Sequence, residues 1–298
     1  MPYAEWEKGF QSWAEGPRKT ESERCANAER MVKQSLKDAG ILDKYRTEVF
    51  TQGSFANRTN IPQESDVDIC IRSMRSFFPQ YPEGLGDADF GNATSTFTFP
   101  QFKDDVQDAL RVRFGNDINR GDKCFSLREN SYRVDADVTA TLEHRRYRSA
   151  KADDYLSGTA FNTDSGKRII NWPKQHIENG NAKHARTRDQ FKKIVRMLKR
   201  LQFDLIDNSV IAKKLVPSYA IECCVFNLSD ASLSAVVDRY TQVRNAIIGI
   251  YAATKDDESC KEWVEVNALK WLFRPKQPWA RDNVRELMLA AWRHVGFE

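Results

Sequence analysis

Apolar and small residues recur at helical spacing near the start of the chain. Cys25, Ala28, Met31, Val32 and Leu36 line one side, with no proline between Pro17 and Gly40. Residues 1 to about 40 are therefore expected to be helical, with Gly40 ending the run. The texture then changes. Glu48 to Gln52 reads as a strand, Gly53-Ser54 breaks it, and Val67-Asp68-Ile69-Cys70-Ile71 reads as a second strand. Residues 76–100 mix Gly, Pro, Phe and Thr without a helical period, which predicts a long loop or insertion. Residues 101–114 show an amphipathic helix through Phe102, Val106, Leu110 and Phe114, closed by Gly115. Two strands are expected around Cys124 to Leu127 and Tyr132 to Leu142. After Pro173 the strand signals thin out, and residues 187–207, 217–228, 231–252 and 280–295 all read as helices. The pattern is that of an α+β chain, with strands in its first half and helices in its second. It shows no internal repeat.

Length and composition narrow the class. The 298 residues suit about two domains. With 41% hydrophobic and 30% charged residues, a disordered tail and a membrane protein are both excluded. No apolar run approaches the ~20 residues of a spanning helix. The first residues lack the basic start and apolar stretch of a signal peptide. The six cysteines, at 25, 70, 124, 223, 224 and 260, form no Cys-x-x-Cys pair. Reduced, mostly buried thiols in a cytoplasmic protein are expected, rather than disulfides or a zinc ribbon. His144, His176, His184 and His294 have no ligand spacing with cysteine and read as structural or surface residues. Trp172, Trp263, Trp271, Trp279 and Trp292 read as packing residues.

The net charge, 46 − 42 = +4, says little until it is located. Residues 181–216 hold ten Lys or Arg against three acids, so this segment carries +7 and the remainder −3. Within it, Phe191, Ile194, Val195, Leu198 and Leu201 form a stripe that should face a core. Lys192, Arg196 and Lys199 share one flank, and no acid lies between Asp189 and Asp204 to neutralise them. Such a flank is either a solvated face or a grip for phosphate.

The most informative stretch runs from Gln52 to Ile69. Side chains alternate along a strand, so Asp66 and Asp68 point one way while Val67 and Ile69 point the other. Two carboxylates ~6–7 Å apart at Cα on one strand face repel each other. A hard divalent cation relieves that repulsion. Gly53-Ser54, following a strand, adds a turn where backbone can approach a phosphate closely. A third carboxylate belongs on a later strand, and Arg133-Val134-Asp135-Ala136-Asp137-Val138 supplies Asp135 and Asp137 on one face.

Gln-Gly-Ser-Phe-Ala-Asn-Arg-Thr-Asn-Ile, Ser-Asp-Val-Asp-Ile and Tyr-Arg-Val-Asp-Ala-Asp-Val resemble the bacterial CD-NTases. These are relatives of cyclic GMP-AMP synthase and oligoadenylate synthetase that make cyclic nucleotide signals in anti-phage defence (CBASS). Ile170 to Gly180, Val195 to Leu201 and Pro217 to Cys223 are also similar to that family, so the resemblance spans roughly 45–298, with the E clade nearest. The resemblance implies a nucleotidyltransferase (pol-β-like) fold. A mixed-sheet catalytic domain with its N-terminal helix would occupy 1–180, a helical lobe 181–298, and the active site the cleft. It assigns Asp66, Asp68 and Asp137 to catalysis and to two Mg²⁺ ions, with Mn²⁺ as a substitute. Asp137 is favoured over Asp135 because it directly precedes Val138, although the Val-Val-Pro-like continuation usual in the family is replaced by Val138-Thr139-Ala140. It assigns Gln52, Gly53, Ser54, Lys192, Arg196 and Ser218 to the triphosphate and its surroundings, and Tyr219 to stacking on a base.

The activity implied is synthesis of a cyclic di- or oligonucleotide from NTPs with release of pyrophosphate. The product would act on a separate effector protein. The enzyme is expected to be a monomer without a long nucleic-acid or membrane partner. The alternatives are a linear oligonucleotide synthase or RNA-tailing transferase, a non-catalytic nucleotide sensor, and an antitoxin-type interaction protein. The segment 157–171, read as a loop with polar Asn162, Thr163 and Asn171, is the expected seat of base choice.

Overall fold

In the computed structural model, which describes residues 2–62, 66–235, 237–275 and 277–297, the N-terminal helical run is split at Gly16-Pro17. Proline lacks the N–H an inner helical turn needs and restricts the residue before it. The elements in order are α1 (Tyr3–Ala14), α2 (Lys19–Asp38), α3 (Ile41–Lys44), β1 (Thr47–Gln52), α4 (Gly53–Ala56), β2 (Val67–Gln80), α5 (Phe99–Phe114), β3 (Ile118–Arg120), β4 (Phe125–Leu127), β5 (Ala136–Tyr147), β6 (Tyr155–Asn162) and β7 (Arg168–Asn171). Then come α6 (Pro173–Arg186), α7 (Phe191–Asp207), α8 (Ser218–Asn227), α9 (Asp230–Leu233), α10 (Arg239–Ala253), α11 (Asp257–Cys260) and α12 (Arg281–Val295).

The chain forms two units, each assembled from separate stretches. The sheet unit comprises Arg18–Phe55 and Ser65–Pro173; the helical unit comprises Met1–Pro17, Ala56–Glu64 and Lys174–Glu298. A division at 180/181 is not where these units part. The first helix joins the helical unit, because Trp6, Phe10 and Ala14 are buried in its core.

The sheet unit is built on a mixed sheet in the order β1-β2-β5-β4-β3, with β6 also on β5 and β7 on β6. Among the described residues, β2–β5 is the one parallel strand pair. Val67, Ile69 and Ile71 of β2 and Val138 and Ala140 of β5 turn one face to α2 and α5, meeting Val32, Leu36, Phe102 and Leu110 in a common core. Period-2 alternation therefore leaves Asp68, Cys70 and Arg72, with Asp137, Thr139 and Thr141, on the opposite face.

Two segments differ from expectation. β2 continues to Gln80 through a register shift between Ser73 and Phe77, where a loop was expected from residue 76. Likewise 157–171 is mostly the antiparallel pair β6–β7, turned by Thr163 to Gly166, rather than a loop.

In the helical unit α7 is central. Its apolar stripe is buried as expected, but Lys192, Arg196 and Lys199 are buried too. All six cysteines are free thiols, and five are buried. Trp172 is buried, but Trp271 is 55% exposed, against the packing role expected for it. Among the described residues no helix is long and apolar enough to cross a membrane.

Candidate active site

The acidic candidates lie on the polar face of the sheet unit. Parallel pairing sets Asp68 of β2 directly beside Asp137 of β5, and antiparallel pairing sets Gln52 of β1 on the other side of Asp68. Asp66 immediately precedes β2 and is exposed. At the end of β1 the chain turns through Gly53 with φ +66°, and a Cβ there would lie 1.9 Å from Asp68 Oδ2. The carboxylate thus rests against bare backbone, which only glycine leaves open. Ser54 follows, half-buried, in the single turn of α4.

Asp135 and Asp137 have different surroundings. The Asp135 carboxylate accepts the backbone N–H of Glu129 at 2.5 Å, and its carbonyl accepts that of Val67 at 3.0 Å. It therefore ties the approach to β5 to its neighbours. Asp137 instead stands opposite Ser126 of β4, whose hydroxyl donates to Asp137 Oδ1 at 2.8 Å. The Cys124 thiol is nearby, pushed up to about 11 by burial and by the Asp137 and Asp68 carboxylates. Ser126 was not singled out from the sequence. The alternation Phe125-Ser126-Leu127, with both flanking residues buried, was the available signal. Among the described residues no three His, Cys, Asp or Glu side chains form a ready metal-binding group. The carboxylate oxygens of Asp68 and Asp137, beside backbone left open by Gly53, are a donor set that suits a hard divalent cation completed by other oxygens.

The basic candidates lie in the helical unit. Lys192 is buried, and its ammonium donates to Asn181 Oδ1 at 2.5 Å. Burial lowers its pKa, with Arg58 and Arg196 adding to the effect and the Glu222 carboxylate opposing it. Arg196 is a structural anchor. Its guanidinium donates to the carbonyl of Ala14 through Nε at 3.0 Å and Nη2 at 2.5 Å, and to the carbonyl of Arg58 through Nη1 at 2.6 Å. These bonds clamp the end of α1 and the 56–64 segment to α7.

Lys199 lies 4.0 Å from Glu222, a buried carboxylate that also accepts from Thr59 Oγ1 at 2.8 Å and contacts His176 Nε2 at 2.8 Å. Lys183 bonds the Leu228 carbonyl at 2.6 Å and Asp230 at 2.6 Å, and Arg186 reaches the same Asp230. Much of the +7 segment is therefore committed within the unit, rather than forming a broad solvated stripe.

Ser218 opens α8, half-buried, with Tyr219 beside it. The Tyr219 hydroxyl donates to Glu265 Oε2 at 3.0 Å, and burial holds its pKa well above the usual value. In the β6–β7 turn, Thr163 Oγ1 accepts from the backbone N–H of Lys167 at 3.1 Å, and Asn162 accepts from Arg168 at 3.1 Å. Both side chains thus hold the turn.

Residues 178–296 match the family described as the cGAS/DncV-like nucleotidyltransferase C-terminal helical domain. The cyclic dipyrimidine nucleotide synthase CdnE of Legionella pneumophila is 38% identical over 295 residues, covering 98% of each chain. Its namesake from Cecembia lonarensis is 35% identical, covering 96% of this chain and 97% of the relative. The structure of Elizabethkingia meningoseptica CdnE cyclic dinucleotide synthase with GTP and Apcpp superposes with a TM-score of 0.80 at 31% identity, over 98% of this chain and 99% of that one. With the α+β fold and the Asp68–Asp137 pair in place, these matches establish that the chain belongs to the CD-NTases, the cGAS/DncV-like nucleotidyltransferases, in the E clade of cyclic nucleotide synthases.

Proposed function

We propose that this enzyme joins NTPs into a cyclic di- or oligonucleotide, releasing pyrophosphate with each bond, and that the product signals to a separate effector protein in anti-phage defence. The observation that carries the reading is the register of Asp68 beside Asp137, with Gly53 held against the Asp68 carboxylate. Asp66, Asp68 and Asp137 would hold Mg²⁺, or Mn²⁺ in its place. Mg²⁺ is commonly held by one or two carboxylates together with substrate phosphates, and this donor set matches that habit. When bound, the metal supplies charge for the phosphates and lowers the pKa of the attacking ribose hydroxyl.

The chain's own residues do the rest. Asp137, oriented by Ser126, lies beside Asp68 at the reacting face. Gln52, Gly53 and Ser54 border that face, with glycine keeping the backbone open to a phosphate. Lys192 and Ser218 would bind the triphosphate; a buried ammonium stabilises the charge of departing pyrophosphate better than a solvated one. Tyr219 would stack on a base, a contact every base can make. We expect a monomer in the cytoplasm.

The test is to incubate the purified chain, and Asp66→Ala with Asp68→Ala, with each labelled NTP and with mixtures, plus Mg²⁺. Products are then treated with phosphatase and nuclease P1 and read by mass spectrometry. A phosphatase-resistant cyclic product from the wild type, lost in the double variant, is expected. Its masses also report base identity and ring size, which matter because one relative is named for dipyrimidine products and another was solved with GTP. Equal product from the double variant would sink the carboxylate assignment, and processive tails on added RNA would turn the reading to a tailing enzyme.

A further inference from the structure

We propose that Glu265 is a positioning residue for nucleotide binding, fixing the Tyr219 hydroxyl and thereby the plane of the ring on which a base stacks. This rests on the stacking role given to Tyr219 above.

The segment around Glu265 is built to be rigid. Val264 pairs with Trp271, the Leu272 N–H donates to the Trp263 carbonyl at 2.8 Å, and the Glu265 N–H donates to the Lys270 carbonyl at 2.9 Å. The tip turns through Ala268 at φ +56°, a conformation that residues with a Cβ adopt at a cost. Asn227 of α8 grips this hairpin by bonding both the carbonyl and the N–H of Val264, at 2.7 and 3.0 Å. Asn179 of α6 donates to the Val266 carbonyl at 2.9 Å.

Glu265 is 4% exposed, and both its oxygens are occupied. Oε1 accepts from Arg274 at 2.7 Å and from Gln277 at 3.2 Å. Oε2 accepts from Asn267 at 2.8 Å and from Tyr219 at 3.0 Å. With three other donors holding it, the carboxylate has no freedom to follow the tyrosine, so the tyrosine must follow it. The ring is also braced by edge contacts with His176 at 5.6 Å and Trp279 at 6.0 Å. A ring fixed in advance binds a base without giving up rotamer freedom at that moment. Because stacking tolerates every base, Glu265 should act on affinity for all NTPs alike.

The decisive variant is Tyr219→Phe, which removes only the hydroxyl and leaves Glu265 its other three partners. KM and kcat for each NTP are measured from pyrophosphate release for Tyr219→Phe, Glu265→Gln, the double variant and Tyr219→Ala. Each single conservative variant should raise KM by about fivefold, the scale of one lost hydrogen bond. KM should change more than kcat, and the double variant should be no worse than the weaker single. If the two effects multiply instead, Glu265 acts elsewhere and the proposal falls. If Tyr219→Phe keeps the wild-type KM while Tyr219→Ala raises it, the ring stacks but Glu265 does not position it. A wild-type KM in Tyr219→Ala would remove the stacking role itself.

Discussion

At Gly53 two independent constraints meet in one residue. The backbone sits at φ +66°, and the space a side chain would need is already filled by the Asp68 carboxylate. Gly53→Ala is therefore expected to cost about 1–2 kcal/mol from the left-handed conformation alone. It should also displace Asp68 enough to lower kcat by about 100-fold, the scale of a 1 Å misplacement. Thermal unfolding and pyrophosphate release measure the two effects separately. The residue-scale signals in the sequence were those of alternation. Asp66, Asp68, Asp135 and Asp137 could be placed on strand faces because their neighbours are Val, Ile and Ala. Alternation could not separate Asp135 from Asp137, since both share a face. What separates them is the partner each carboxylate finds: the backbone of Glu129, six residues back, for one and the Ser126 hydroxyl, across the β4–β5 pair, for the other.

At the scale of elements, α7 shows what periodicity conveys and what it misses. The Phe191, Ile194, Leu198 and Leu201 stripe was legible and is buried. The burial of Lys192, Arg196 and Lys199 was not, because it depends on partners distant in sequence: Ala14 and Arg58 carbonyls for Arg196, and Glu222 for Lys199. Arg196→Ala should thus behave as a stability variant, removing charge-assisted bonds to two carbonyls. A loss of about 2–4 kcal/mol in denaturant unfolding is expected, with KM for NTPs near wild type at temperatures where the variant stays folded. A large rise in KM without loss of stability would assign Arg196 to phosphate binding instead.

The sheet's far end was hidden for a different reason. Pro79 within β2 and the register shift after Ser73 break the period-2 pattern, so the strand's extension to Gln80 reads as loop. Gly158 in β6 similarly weakens a strand signal. Its missing side chain is required by the packing of Trp172, as a Cβ would approach that ring to 2.7 Å.

At the scale of the whole molecule, the buried cluster around Glu222 ties stability to pH. Burial by itself would raise this carboxyl, but His176, Lys199 and Thr59 more than reverse that and hold it at about 2, against an ordinary 4.5. A carboxyl lowered on folding stabilises the native state fully above its unfolded value. That contribution is lost as pH falls from about 4.5 towards 2. Glu222→Gln should unfold at lower temperature at neutral pH, by roughly 3–5 kcal/mol of stability, because the neighbouring cations lose that carboxylate. Its melting temperature should also vary less with pH than that of the wild type across the acid window. Parallel curves for the two proteins would show that another carboxyl governs acid unfolding.

The division into two units built from five stretches of chain also bears on the order in which the protein can be made. Helix α1 leaves the ribosome well before α7 and α10, yet the surfaces it covers belong to those two helices. At about 5–20 residues per second, Trp6, Phe10 and Trp13 wait on the order of ten seconds or longer for their partners. Neither unit can close as a local event, since each contains a stretch of chain embedded between stretches of the other. Changes to the N-terminal helix should therefore register first in the yield of folded enzyme and in its handling by chaperones, with the chemistry of each molecule that does fold left intact.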